Sequence, residues 1–511
     1  MLEQDFLKFV TIKYPLMIFK TIGTNFVLIT LQVCIFNYFV GTNRLKIIFQ
    51  TITTHHYFQA VCIGFFLLLT HIIPLSFMGP SVQTNNYLHG SEIKKDRRGS
   101  PPENRLHGIG YEEYDHNTQT AVRTGEASTF REFVYNVRAG HNIFRHPVAG
   151  SVWYLAWKIT KSYVGVRYIL LVFLLLNTIF FGKLVKIFTR SEHLSFLGMI
   201  YFILIPFSYT DGGNAWTLTM SKSHVGLFFL FLSILNFVNF LKKGKLTSLI
   251  FVLLFFVFSV SSWEVFAGFI LCYPMIYVYA SQLNIETEIG IDTKRIKTYL
   301  IVIIPLSVFS FFILKAVILQ ILIWNYTNIV PVNHFQHNLS VWFAKWVNGV
   351  FGVTINDDVS IHTTQFSYLK SAVSSLINAP RIFVRYHLSS PWSYFERTDL
   401  PYWVILFYMT SFGAINTFFL FVENNSHAGT KKNHALILIS FGLILFAMPI
   451  ATPWLTVGNI FVRYLYPGYF GVILAALAAM EISTGNQKKY SNVFILTCLT
   501  FFESSVFSPI F

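Results

Sequence analysis

The sequence predicts an all-α polytopic membrane protein, with about eleven or twelve transmembrane helices and two large external loops that contain short amphipathic helices. Three observations predict it. Apolar runs of about 20 residues recur along the chain, the length that crosses a hydrocarbon core of roughly 30 Å as helix. Hydrophobic residues make up 54% of the chain and charged residues only 12%, against about 25% charged in a soluble domain. Phe alone occurs 55 times in 511 residues, which suits lipid-facing and helix-packing surfaces better than a wet one. Strand-like alternation is absent, which argues against a transmembrane barrel.

The apolar segments run roughly over 16–40, 58–79, 164–182, 194–210, 224–241, 246–261, 263–280, 299–324, 401–422, 434–451, 457–480 and 491–510. The first, Leu16 to Val40, is interrupted by Lys20, is long for a cleaved signal and is followed by no clear small-residue cleavage site, so it reads as a retained helix. Leu246–Ala280 is too long for one span, and Ser259, Ser261, Ser262 and Glu264 break it into two helices joined by a tight turn. The chain thus divides into N-terminal transmembrane helices (1–79), a first external loop that is the candidate catalytic region (80–163), central helices (164–324), a second external loop (325–400) and C-terminal helices (401–511).

The net charge of +15 is concentrated in short loops, where it sets orientation and is no nucleic-acid signal. Lys183, Lys186 and Arg190 form one cluster, and Lys242, Lys243 and Lys245 another. Lys294, Arg295 and Lys297, then Lys431 and Lys432, then Lys488 and Lys489 follow. All five fall on one side of the predicted helices, which by the positive-inside rule is the cytoplasm. Both long loops then lie outside, with Asp211–Ser223 and Ala451–Thr456. The first long loop is itself basic, but long loops cross largely regardless of charge.

Within that loop, Gly90–Arg105 is charged, apolar-poor and Pro-containing, the composition of a mobile segment. Ala127–Val137 has Phe130, Phe133, Val134 and Val137 at helical spacing. Val152–Ile159 carries Trp153, Tyr154 and Trp157, which suit an interfacial aromatic belt. In the second loop, Val341–Phe351 and Tyr368–Ile377 read as surface-lying or bundle-packed helices. Cys34, Cys62, Cys272 and Cys498 all lie in apolar segments, with no disulfide framework and no Cys/His metal spacing. They read as small core hydrophobes.

No Walker loop, dinucleotide fingerprint, zincin motif or GxSxG occurs. Ionisable residues near the predicted outer face carry what chemistry there is. Glu126 sits at a loop-to-helix junction, where a carboxylate serves as a general base or as a dipole-stabilising acid. Glu112, Glu113 and Asp115 form an acidic cluster that reads as a solvated loop. Asp211 follows an apolar segment, and Lys222 and His224 precede the next, so an acid, a cation and an imidazole share one short connection. Snorkelling and interfacial capping explain them equally well. Glu264 lies at the helix break, where an ionisable group marks a functional site or the end of a hairpin. Arg463, before Tyr464, Tyr466 and Pro467, suits a lipid phosphate or interfacial anchoring. Adjacent Asp357 and Asp358 lack a partner acid at metal spacing and read as a turn.

Taken together, these fragments resemble the GT-C superfamily of membrane glycosyltransferases, notably its ArnT-like and protein-mannosyltransferase-like branch. Gly125-Glu126 stands where that family has an acidic pair, Gly140 follows at similar spacing, and His146-Pro147 precedes an aromatic-rich WYLAW. RYLYPGYFG from Arg463 is similar to an Arg-Tyr-x-x-Pro element opening a late helix, and the helix order also matches. Three departures accompany the likeness. Gly125 replaces the first acid, His146-Pro147 is followed by Val148-Ala149, and SKSH at Ser221–His224 stands where many members have an Arg and an acid. The resemblance implies transfer of a sugar from a polyprenyl-phosphate donor to a glycan, lipid or protein acceptor outside the membrane. By that carry-over Glu126 is the base, with Asp211 as a second acid, and Arg463 and Lys222 bind the donor phosphate. His146, His224, Glu264 and Asp115 are further candidates. No metal ligands are identified, and a divalent metal stays open.

The competing readings are a transporter or flippase of lipid-linked saccharides, for which only Glu264 and Lys315 hint at ionisable groups at depth, a polymerase that differs mainly in its acceptor, and a non-catalytic scaffold. Expected localisation is multi-pass in a bacterial inner or plasma membrane, or in the endoplasmic reticulum of a eukaryote. There the sequons at Asn325 and Asn338 would face the lumen.

Overall fold

The structure, a computed structural model, describes residues 55–68, 146–160, 163–203, 221–282, 432–457 and 466–482, with residues 38, 47, 51 and 72. The described elements are helical, and there is no strand among them. In chain order they are α1 (His56–Leu67), α2 (Pro147–Thr160), α3 (Tyr163–Thr189), α4 (Glu192–Ile203), α5 (Ser221–Lys243) and α6 (Leu246–Ser262). A 3-10 helix (Glu264–Leu271), α7 (Cys272–Gln282), α8 (Lys432–Val457), a 3-10 turn (Tyr466–Gly468) and α9 (Tyr469–Ile482) complete them.

Local chemistry sets the boundaries. Pro147, preformed for a first helical turn, opens α2, and His146 O accepts from Gly150 N at 2.8 Å. α3 ends on Arg190, whose left-handed φ of 55° lets its N–H donate to Lys186 O at 2.8 Å. Two residues later α4 begins, with Ser191 Oγ accepting from Leu194 N at 3.3 Å. Glu192 sits in the first turn of α4, suits its dipole and pairs with Lys186. Gly244, at φ 64°, closes α5 behind Lys242 and Lys243, and α6 starts two residues on. Trp263, extended at φ −161° and ψ 128°, separates α6 from the 3-10 helix. The break expected from Ser259, Ser261, Ser262 and Glu264 is therefore present, and the segment resumes as eight residues of the tighter helix.

α3 and α5 each contain a 22-residue stretch, Tyr168–Thr189 and Lys222–Lys243, long and apolar enough to cross a membrane. The interior is built on aromatic rings. Phe470 of α9 meets Phe181 of α3 at 6.0 Å, Phe231 of α5 at 5.1 Å and Phe269 of the 3-10 helix at 5.8 Å. Side-chain hydrogen bonds to neighbouring helices' carbonyls lock the register. Ser195 Oγ donates to Gly182 O (2.7 Å), Ser259 Oγ to Gly226 O (2.8 Å), Ser233 Oγ to Val252 O (2.6 Å) and Tyr279 OH to Phe188 O (2.6 Å). α8 and α9 cross where Gly442 faces Gly471 and Ala475, with no room for a Cβ on either glycine.

The outward faces are apolar. On α6, Leu246, Ile250, Phe251 and Leu254 are exposed while Ser259, Ser261 and Ser262 are buried. On α8 the exposed residues include Leu436, Leu443 and Ile444. The hydrogen-bond register gathers the C-termini of α3, α5 and α7 with the N-termini of α4, α6 and α8. Lys183, Lys186, Arg190, Lys242, Lys243, Lys245 and Lys432 thus share one end, the basic pole. The opposite pole holds the start of α5, the end of α6, the start of the 3-10 helix and Tyr466.

Candidate functional site

The pole opposite the lysines gathers Lys222, Ser223, His224, Ser259, Ser261, Ser262 and Tyr466. α5 opens there with Ser221-Lys222-Ser223-His224, antiparallel to the last turn of α6, Ser259–Ser262. Asn177, at mid-length of α3, donates from Nδ2 to His224 O at 2.9 Å, which sets the first turn of α5 level with the middle of α3. The His224 ring meets Tyr466 edge to face, with centroids 5.7 Å apart. Lys222 Nζ lies 4.7 Å from the centroid of Trp263, a ring wholly removed from solvent. An ammonium over an indole face is held by about 0.5–2 kcal/mol, more as water is excluded. Lys222 is therefore positioned by the helix break, because the extended Trp263 turns its ring to meet it.

α2 packs against α3, α5 and α6 at this same end. Its Trp153 and Ala156 form a small core with Val166 and Leu170 of α3. Trp153 and Tyr154 are both buried within the bundle, and the exposed apolar side chains of α2 include Leu155 and Ile159.

Of the predicted site residues, the structure brings Lys222 and His224 together in one turn of α5, with His224 buried. Glu264 is the first residue of the 3-10 helix, next to Trp263. His146 is buried at the start of α2. Glu126, Asp115, Asp211 and Arg463 lie outside the described residues, as do Ala127–Val137 and the second long loop. Arg463 stands three residues before Tyr466 in the sequence. Among the described residues, no group of three or more His, Cys, Asp or Glu is arranged to hold a metal ion.

Sequence reasoning missed Asn177, Ser223, Ser261 and Trp153. Each has a fully buried polar atom without a hydrogen-bond partner among the described residues: Asn177 Oδ1, Ser223 Oγ, Ser261 Oγ and Trp153 Nε1. Tyr466 OH is a fifth. An unpaired buried polar group costs about 1–3 kcal/mol. Asn177 carried a readable signal, an amide in the middle of an apolar run. The two serines carried none, because Ser195, Ser233 and Ser259 look the same in sequence and are fully bonded.

No family model matches the chain, and no characterised protein or solved structure is significantly similar to it.

Proposed function

We propose that the chain is a multi-pass integral membrane protein that transfers a sugar from a polyprenyl-phosphate donor to an acceptor at the pole holding Lys222. The observation that carries this reading is the gathering of a cation and several buried polar groups at the end of the bundle opposite the lysines. The membrane setting is supported by the two 22-residue apolar stretches and by large apolar side chains exposed on the outward faces of α6 and α8. Serine and tyrosine bonds between helices and close glycine crossings are how helices associate in lipid.

In the transfer, a carboxylate, Glu126 by resemblance, takes the proton of the acceptor hydroxyl. The hydroxyl oxygen bonds to the anomeric carbon as the bond from that carbon to the phosphate oxygen breaks, and the lipid phosphate leaves with the electron pair. Single displacement inverts the anomeric centre. Lys222, with Arg463, stabilises charge developing on the phosphate.

The test is purified protein in vesicles with a radiolabelled polyprenyl-phosphate hexose, following label into an acceptor fraction. Wild type should transfer, and Glu126→Gln should retain its fold and lose transfer. Full activity in Glu126→Gln removes Glu126 as the base. A second reading, a flippase for lipid-linked saccharides, is favoured by the helix broken at Trp263, since broken helices recur in transporters. Movement of labelled lipid across the vesicle without a covalent product would select it.

A further inference from the structure

The lysines of α2, α3 and the first turn of α5 have partners for their charge. Lys158 lies 5.4 Å from the Tyr154 ring centroid, Lys183 5.7 Å from that of Phe180 and Lys222 4.7 Å from that of Trp263, while Lys186 pairs with Glu192. Lys242, Lys243 and Lys245 differ: all three are exposed, and no acid or ring among the described residues meets them. They flank Gly244, whose φ of 64° turns the chain from α5 into α6, so three uncompensated cations share one tight turn. Directly beyond that turn α6 carries an apolar stripe. Leu246, Ile250 and Leu254 are exposed and spaced four residues apart, which puts them on one face of the helix. Phe251 beside them is also exposed and stacks on Phe255 at 5.7 Å. Leu249, Val252 and Phe256 of the same helix are buried in the bundle. The stripe spans about 12 Å of helix, most of the roughly 15 Å of hydrocarbon in one leaflet.

Charge and apolar surface thus follow one another along α6 in the order in which an anionic lipid presents them, phosphate at the surface and chain toward the midplane. A soluble polyanion would meet the lysines and leave the stripe bare. A zwitterionic lipid would cover the stripe and leave the lysines uncompensated. We propose that the α5–α6 turn binds an anionic glycerophospholipid, with its headgroup phosphate against Lys242, Lys243 and Lys245 and an acyl chain along Leu246, Ile250 and Leu254. The site rests on the membrane reading and on the basic pole facing the cytoplasm, whose leaflet holds anionic lipid. It does not depend on sugar transfer.

The experiment is photo-crosslinking of the full chain in phosphatidylcholine nanodiscs that carry a trace of phosphatidylglycerol or phosphatidylcholine with a diazirine in its acyl chain. Adducts on Leu246–Leu254 are quantified by mass spectrometry. At low salt the phosphatidylglycerol probe should give at least about tenfold more adduct there than the phosphatidylcholine probe, since each lysine at the headgroup level favours an anionic lipid by up to about fivefold. The ratio should fall toward one when Lys242→Gln, Lys243→Gln and Lys245→Gln are combined, and should hold in the corresponding arginine variant. Because the three side chains are exposed, both variants should melt with the wild type. Lys183→Gln combined with Lys186→Gln should leave the ratio at the wild-type value. A ratio near one in wild type, an unchanged ratio in the glutamine variant, or an equal loss in the Lys183 and Lys186 variant overturns the proposal. Excess inorganic phosphate at constant ionic strength should not displace the lipid, and displacement would mark a soluble-anion site and overturn it too. Alkaline carbonate extraction separates this site from the membrane reading. A chain released by carbonate removes both, and a chain retained in the membrane with a ratio near one removes the lipid site alone.

Discussion

Asn177 illustrates how much a single side chain decides at the Lys222 pole. Its Nδ2 bonds to His224 O, which already lies in a helical turn, and its Oδ1 has no partner among the described residues. Asn177→Leu loses one bond but also removes an unpaired acceptor, so we expect a change in stability within about 1 kcal/mol. Asn177→Asp places a charge at a position with no solvent exposure. We expect that variant to lose about 3 kcal/mol or more, or to protonate instead. Melting of both variants in detergent checks the contrast, and equal stability of the two would show that water reaches this site. The ionisable candidates Lys222 and Glu264 were legible in the sequence because an ionisable residue stands out at the edge of an apolar run. The small polar ones were not. Ser259 and Ser261 are two residues apart on one helix, and only geometry separates the one that donates to Gly226 O from the one with no partner. Arg190 carries a different residue-scale expectation. A left-handed non-glycine residue costs roughly 1–2 kcal/mol, so Arg190→Gly should raise the melting temperature.

Helices in this bundle are set by what they can approach. On α1, a Cβ added at Gly64 meets nothing within 4 Å. Gly64→Ala should therefore stabilise by about 0.5–1 kcal/mol through helix propensity. At Gly442 the same change drives a methyl into Gly471 O and Ala475. There it should destabilise by about 1–3 kcal/mol and part α8 from α9. Opposite signs for one substitution, read by thermal melts, test whether close backbone contact holds this pair. Elements differ in how legible they were. Ser259 to Glu264 announced the helix break, because clustered serines and a carboxylate inside an apolar run are costly in a continuous span. The eight-residue 3-10 continuation had no signal, since its apolar residues fit either helix period. α2 was half legible: its aromatics were evident, but their inward packing depends on α3, which no local pattern reveals.

At the scale of the molecule, charge separates the two ends. The basic pole carries Lys183, Lys186, Lys242 and Lys243 near the C-terminal ends of α3 and α5, Arg190 and Lys245 in the two-residue turns that follow them, and Lys432 at the start of α8. The other pole carries Lys222 against Trp263, and Ser223, Ser261 and Tyr466, whose hydroxyls have no hydrogen-bond partner among the described residues. Lys and Arg in short loops stay on the cytoplasmic side of a membrane, because translocating them is unfavourable. On the proposed membrane reading, the Lys222 pole would face away from the cytoplasm, the side on which the sequence also predicts the first long loop. This orientation predicts where a protease can cut. In sealed vesicles with the cytoplasmic face inside, trypsin added outside should cleave at Lys94, Lys95, Arg97 or Arg98 within 90–105 and spare Lys242–Lys245. In vesicles of inverted orientation the pattern should reverse, with the α5–α6 connection cut and the 90–105 segment protected. Lys242, Lys243 and Lys245 make the comparison internal, because the two-residue turn there leaves all three at the basic pole. Cleavage of 90–105 only from the side that exposes Lys242–Lys245 would place Glu126 and the lysine clusters on one face. Glu126 and Lys222 would then be separated by the width of the bilayer, and sugar transfer by Glu126 at the Lys222 pole would fail on geometry alone.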